Sequence, residues 1–388
     1  MLNIGTNNSS YINFLLYLLA MPQSLFENTA KNVAYIIYVI FFNLLIVYGV
    51  YFELQGRTGS GKGINTSTST IITFLGTVWL AFANVGISTS LLMNAERGCL
   101  KIRDKIEQFD VEIYKDPRKK PDEKNLMKIA LILLINIFCI LVFVVEVYVI
   151  KLSDELDTIY FHIWDNVLRY RLNIFVACIY FFIRELHQRI KYMNRTLRHI
   201  VASLDDDGRV GNQHSIANAA LYLCKIPEAT KRTSKAYGVV LEIVEEFNSI
   251  FGWLLLVLIV NYLVLCLVAF TIALQRRNYQ EVDWIYLIWI SMMIFTAATG
   301  AVSISSICNR TTTEAKKTAP LAYALLFGLN TKKDEDKSLV EDITLLVRKT
   351  TSYSPIFTAA GFFVIDYSGL FTLMNLLTSY VIVLIQFV

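Results

Sequence analysis

Five side chains near the end of the chain, Thr372, Asn375, Ser379, Val383 and Gln386, are spaced 3, 4, 4 and 3 residues apart. At ~100° per residue they fall on one narrow face of a helix. Hydroxyls and amides in this pattern make and break no bonds. Their chemistry is hydration: they present dipoles to water or to a passing ion. The opposite face, Leu370, Met374, Leu377, Val381, Leu384 and Val388, is wholly apolar. The stretch Gly369–Val388 is just long enough to cross ~30 Å of hydrocarbon. Unpaired hydroxyls and amides facing lipid cost several kcal/mol, so the stripe must face protein or water. Two readings stay open: a helix–helix contact joined by Thr, Asn and Ser, or the lining of a pore.

A second set lies within other apolar runs. Glu146, Asp165, Arg169 and Arg171 are ionisable groups at membrane depth, where charge normally faces a partner or a cavity. Asp165 and Arg169 are four apart and can pair on one helix face. Trp79, Tyr160, His162, Trp164, Tyr262, Trp284 and Trp289 share their level. They read either as an aromatic belt at the membrane interface or as the wall of an outward-facing pocket.

Other chemistries are excluded or weak. Gly56–Gly63 (GRTGSGKG) imitates a phosphate-binding loop, but Gly63 stands where the metal-binding Ser or Thr belongs and no strand precedes it. It reads as a flexible loop. The six cysteines, Cys99, Cys139, Cys178, Cys224, Cys266 and Cys308, form no metal-binding pattern. No Ser/His/Asp set or paired-carboxylate cleft appears. The sequence predicts no enzyme, no metal or other cofactor, and no nucleic-acid partner.

These side chains require a membrane scaffold. The 388 residues are 55% hydrophobic and 18% charged, with mean hydropathy +0.48, against ~25% charged in soluble domains. Apolar runs of spanning length fall at 32–54, 70–93, 126–150, 158–183, 247–275, 282–307 and 368–388. This predicts an all-α membrane protein of seven helices. The connections after spans 2, 4 and 6 carry 27 Lys and Arg, those after spans 1, 3 and 5 only 5. The positive-inside rule then puts the N-terminus in the cytoplasm and the C-terminus outside, the reverse of a G-protein-coupled receptor. The run Tyr11–Met21 lacks a basic flank and reads as an interfacial or packed segment, not a cleaved signal. Sequons occur at Asn7/Asn8, Asn65, Asn194 and Asn309. On this topology only Asn65 reaches the lumen for glycosylation.

The expected organisation is a cytoplasmic segment 1–31, spans 1–4 over 32–183, a cytoplasmic helical connection 184–246, spans 5–6 over 247–307, anchor helices over 308–367, and the last span 368–388. Asp205–Asn212 reads as a turn or linker. Ser338–Thr350 reads as an amphipathic helix with Leu339, Ile343 and Leu346 on one face.

The tail residues Ser379-Tyr380-Val-Ile-Val-Leu-Ile-Gln386-Phe387 resemble the signature of the insect gustatory receptor family: Thr-Tyr, five hydrophobic residues, Gln-Phe. Gly361-Phe-Phe-Val-Ile-Asp366 resembles the segment leading into it. Ser379 replaces the usual Thr and keeps the hydroxyl. The residue-level match covers about 361–387, the topology the whole chain. The resemblance implies a plasma-membrane, ligand-gated cation channel opened by a small-molecule tastant. It implies a homo- or heterotetramer in lipid whose last span lines the pore and whose cytoplasmic anchor joins the subunits. By position, Gln386 and Phe387 sit at the narrow outer part of the pore, with Val383 one turn below. Related insect odorant receptors match the tail less well, and an odorant-receptor-like subunit is the nearest alternative. A secondary transporter would need a coupling-ion site and usually repeats; neither is visible.

Overall fold

In a computed structural model the described residues are 78–82, 84–85, 101–113, 137–148, 159–206, 226–277, 284–330 and 337–387. The expected first span, the run Tyr11–Met21, the Gly56–Gly63 loop, Asn65 and the 207–212 part of the predicted linker lie outside them. The elements that position the site are α1 (Ile159–Asp206), α2 (Ile226–Arg277), α3 (Trp284–Lys316), α4 (Thr318–Asn330), α5 (Lys337–Ser352), strands β1 (Thr358–Ala359) and β2 (Phe363–Val364), and α6 (Tyr367–Phe387). Shorter helical segments cover 78–82, 84–85, 101–113 and Ile137–Tyr148.

Among the described residues three helices are long and apolar enough to cross a membrane: Asn166–Ala202, Pro227–Thr271 and Leu287–Gly328. The 48 residues of α1 and 52 of α2 span about 72 and 78 Å. Both therefore extend well past ~30 Å of hydrocarbon. The helix α1 changes character on the way. Its first half is apolar. Its second half is amphipathic, burying Leu186, Ile190, Met193 and Leu197 and exposing Lys191, Arg195 and Arg198. The helix α5 likewise buries Leu339, Ile343 and Leu346. Outside lipid, each such side chain contributes roughly 1.5–3 kcal/mol on burial.

Polar contacts fix the register of this bundle. The α3 helix stops at the turn at Lys317, because Pro320 has no N–H to continue the ladder. At that break the Asn194 amide donates to the Glu314 carbonyl (2.7 Å) and carboxylate (3.2 Å), and accepts from the Thr318 hydroxyl (2.7 Å). Asn194 is a sequon residue, and its side chain is fully buried in this network. Arg189 holds the 101–113 helix on α1 by bonds to both Asp110 oxygens (2.9 and 3.2 Å) and to Glu185 (3.2 Å). Lys105 and Glu242 pair at 3.0 Å.

The connection from α5 to α6 is bound to α2 and α3 along its length. The Tyr237 hydroxyl donates to the Tyr353 carbonyl (3.0 Å) and Thr312 to the Pro355 carbonyl (3.0 Å). The Asn248 amide donates to the Ile356 carbonyl (2.7 Å) while its oxygen accepts the Thr358 N–H (3.0 Å). Phe357 packs edge-on against Phe247, centroids 5.4 Å apart. The β1–β2 hairpin turns through Ala360 (φ 52°) and Gly361 (φ 75°), both left-handed as a type I′ turn requires. Asp366 then caps α6, accepting the Gly369 N–H at 2.7 Å.

Asn248→Ala removes two bonds and leaves a carbonyl and an N–H without partners, at about 1–3 kcal/mol for each group. The expected outcome is a melting temperature several degrees lower in detergent, with the tail connection becoming protease-sensitive. Unchanged melting and proteolysis would show that this amide does not hold the connection.

Candidate functional site

The apolar halves of α1, α2 and α3, with Ile137–Tyr148, line a half-open cavity of about 420 Å³. That volume suits one small organic molecule. Phe138, Phe143, Val167, Leu172 and Leu265 form apolar wall. Asn166, Arg169, Tyr170, Asn173, Asn261, Tyr262 and Thr296 contribute polar atoms. Apolar walls with a few placed polar groups are the usual make-up of a ligand site.

Two of the sequence-predicted ligand residues, Arg169 and Tyr262, line this cavity. Glu146 is 1% exposed and accepts a hydrogen bond from Asn166, a cavity residue. The Arg169 guanidinium donates to the Met293 sulfur at 2.8 Å, a weak acceptor that an oxygen-bearing ligand would outcompete. Trp289 is buried with Ala269, Ile290 and Met293, one layer behind the wall. Trp79 packs against Phe82, centroids 5.5 Å apart, and Trp284 is 76% exposed at the start of α3. Neither lines the cavity. The Asp165 side chain lies outside the described residues.

Sequence reasoning missed the amides Asn166, Asn173 and Asn261. Two of them had a legible signal: Asn166, Arg169, Tyr170 and Asn173 recur at helical spacing in an apolar run.

The Tyr262 hydroxyl is buried and has no hydrogen-bond partner among the described residues. It occupies a notch in α3 made by Gly300. A Cβ there would lie 2.6 Å from Cζ of Tyr262 and closer still to its oxygen. Any side chain at 300 must push the phenol aside, toward the cavity, or part α2 from α3.

At the other candidate site, α6 packs on its own subunit along one narrow strip and is exposed elsewhere, so Met374 of the expected apolar face stands 49% exposed. Leu377 is buried and Leu373 and Val381 pack against the core. Thr372, Asn375, Ser379, Val383 and Gln386 are all exposed, with Val383 at 46%. The polar stripe therefore faces away from its own subunit. Within the stripe, Ser379 returns its hydroxyl to the Asn375 carbonyl at 3.0 Å, leaving the Asn375 amide exposed. Phe387 ends the helix, and its side chain lies outside the described residues.

A family model described as 7tm Chemosensory receptor matches residues 25–388. Gustatory receptor 68a of Drosophila melanogaster is 28% identical over 204 residues, which are 52% of this chain and 47% of that protein. The chain thus spans about half the length of the curated relative it matches. The solved structure of the insect olfactory receptor OR5 from Machilis hrabei aligns with TM-score 0.56 and 13% identity over 89% of this chain and 88% of that one. The same receptor in complex with eugenol aligns with TM-score 0.53 and 11% identity over the same shares. At these identities the likeness is one of fold.

The notch makes a quantitative prediction. Gly300→Ala overpacks the α2–α3 contact and should cost roughly 1–3 kcal/mol. In a Tyr262→Val background the methyl group has room, and the same change should cost almost nothing. A thermal-melt double-mutant cycle measures the difference. Equal costs in both backgrounds would show that the notch does not hold the phenol.

Proposed function

We propose, from the premise that this chain belongs to the 7tm chemosensory receptor family, that it is one subunit of a ligand-gated cation channel opened by a small-molecule tastant. It is a multi-pass helical membrane protein and a receptor, not an enzyme. Seven spans, a cytoplasmic N-terminus, an extracellular C-terminus and residence in the plasma membrane are parts of the proposal. The span count rests on the seven apolar runs, the orientation on the Lys and Arg asymmetry, and the plasma membrane on the family resemblance.

The observation that carries the reading is the direction of the α6 stripe. This helix packs on its own subunit only through Leu373, Leu377 and Val381, and the hydroxyls and amides that face outward beside Phe371, Ile382 and Ile385 need water or other chains on that side. One helix cannot enclose an aqueous path. Four copies around an axis can, with the anchor helices over 184–246 and 308–352 holding the subunits together. Val383, Gln386 and Phe387 then lie near the narrow end. A ring of apolar side chains closes a pore by excluding water, and rotation or widening brings the Gln386 amides toward the path.

The ligand enters this scheme at the cavity. Its polar groups at Arg169, Asn173 and Asn261, among apolar walls, suit a small molecule carrying at least one oxygen acceptor. The likeness to an olfactory receptor supports a second reading, in which a volatile odorant takes the same place. A ligand panel applied as solution and as vapour-phase compounds separates the two.

Whole-cell recording with surface labelling tests the pore. Phe387→Ala should give current without ligand at normal surface levels, and Gln386→Ala should change conductance or cation preference more than agonist sensitivity. Leu377→Ile, on the packed face, should alter neither. Unchanged selectivity and no leak in both tail variants would overturn the pore assignment.

The cavity has its own test. Loss of a charge-assisted hydrogen bond costs about 1.5–3 kcal/mol, so Arg169→Ala should raise the agonist concentration for half-response at least about tenfold without a leak current. An unchanged dose–response in Arg169→Ala and Asn261→Ala would place the ligand elsewhere.

A further inference from the structure

We propose that the groove between α1 and α3, just beyond their apolar stretches, binds the headgroup of a phosphorylated inositol lipid of the inner leaflet. The proposal rests on the cytoplasmic placement of this end and on this face of the anchor helices lying outside the subunit contacts, and is independent of the ligand cavity.

The groove is basic on both sides. His187, Lys191, Arg195 and Arg198 are spaced 4, 4 and 3 residues apart on α1, which places them on one face. The three cations are exposed, turned away from the buried face of Leu186, Ile190, Met193 and Leu197. On α3, Arg310 is exposed one turn before Glu314. The Asn194–Glu314 bonds fix the register, so Lys191 and Arg310 each stand about one turn nearer the membrane on its own helix. His187 lies within electrostatic reach of Lys191, Arg310, Lys317 and Glu314, so these groups share one neighbourhood.

Among the described residues compensation is scarce. Glu314 is the carboxylate in that neighbourhood, and Lys317 (2.8 Å) and Asn194 already hold it. Glu185, on the opposite face of α1, is bound to Arg189. Among the described residues Lys191, Arg195, Arg198 and Arg310 form no ion pair.

Depth selects the ligand. The apolar stretches end near residues 183 and 307. At ~1.5 Å per residue, His187 and Arg310 lie about 5–6 Å beyond the hydrocarbon, Lys191 about 12 Å and Arg198 about 22 Å. The headgroup zone adds only ~5–8 Å on each side. The first pair therefore meets the phosphodiester level. Lys191 stands farther out, at the level that ring phosphates of an inositol lipid reach and a serine headgroup does not, and Arg195 and Arg198 add positive potential beyond it. Arginine forks suit phosphate oxygens in particular, and basic clusters just inside a span are the usual mark of such lipids.

The test uses the purified full chain in mild detergent and a fluorescent short-chain phosphatidylinositol 4,5-bisphosphate, read by polarisation. The expected result is saturable binding, displaced by the unlabelled lipid but not by phosphatidylserine at matched charge. The double variant Lys191→Gln/Arg310→Gln should weaken binding at least about tenfold, and Lys231→Gln, exposed on α2, should not. If the double variant fails to give a monodisperse protein, Arg195→Gln serves in its place, with a loss of about threefold or more. Absence of saturable binding, equal displacement by charge-matched phosphatidylserine, or full affinity in the groove variants overturns the site. Displacement by soluble inositol trisphosphate as effective as by the lipid overturns the commitment to a lipid. An epitope tag after Val388, stained on intact cells, reports orientation separately, so a wrong topology and a wrong site are told apart.

Discussion

Helices far longer than the bilayer is thick divide this molecule into two solvents. In hydrocarbon every backbone N–H and C=O must be satisfied within the segment, which fixes the helical form of α1, α2 and α3. Beyond the hydrocarbon the same helices continue into water, where burying Leu186, Ile190, Met193 and Leu197 on the side that packs against α3 and α4 yields the full hydrophobic gain. Between spans that gain is largely absent, because lipid tails are as apolar as leucine. The aqueous half therefore supplies stability. The membrane half is held by shape and by a few polar contacts such as Glu146 with Asn166. A cavity of about 420 Å³ sits where emptiness costs the fold least.

The base of α6 is the stiffest part of the path toward the tail. Its cap at Asp366, the Tyr367–Ser306 bond at 2.9 Å, and the Tyr237, Asn248 and Thr312 contacts to the preceding segment tie it to α2 and α3. Gly369 allows the first turn to pass the Val364 carbonyl, where a Cβ would stand at 2.6 Å. Higher up, Leu377 and Val381 supply apolar packing that imposes no hydrogen-bond register. A helix fixed at its base and sliding on an apolar face can tilt or rotate at its free end without breaking a backbone bond. The residues of the polar stripe are distributed along that freer part.

Periodicity made some of this legible. The stripe of α6 followed from spacing alone, as did the buried face of α5, because a 3.6-residue repeat is written in consecutive residues. Depth was legible for the aromatic residues, but direction was not. Trp289 is buried and Trp284 exposed, although both lie in one apolar run. Contacts between distant segments left no local trace. The Asn248 clamp joins residues 108 and 110 positions apart, and the Gly300 notch acquires meaning only once Tyr262 lies against it. Gly361 hints at a tight turn. The left-handed Ala360 beside it does not, since an Ala at positive φ is held there by the hairpin it closes.

Cavity and tail are joined by packed material, yet contiguity alone transmits nothing. Phe175 on α1 contacts Phe251, Phe251 contacts Phe247, and Phe247 contacts Phe357 in the tail connection, with centroids 6.4, 5.0 and 5.4 Å apart. Along α2, Tyr262 and Asn248 are fourteen residues apart, or about 21 Å of unbroken helix. A bound molecule shifts an equilibrium only by as much as its affinity differs between the two arrangements. The place where such a difference arises is the wall whose geometry is least adjustable. One such wall is the α2–α3 contact, where Gly300 receives the Tyr262 phenol at close range. A ligand that parts or closes this contact moves the same helix that clamps the base of α6.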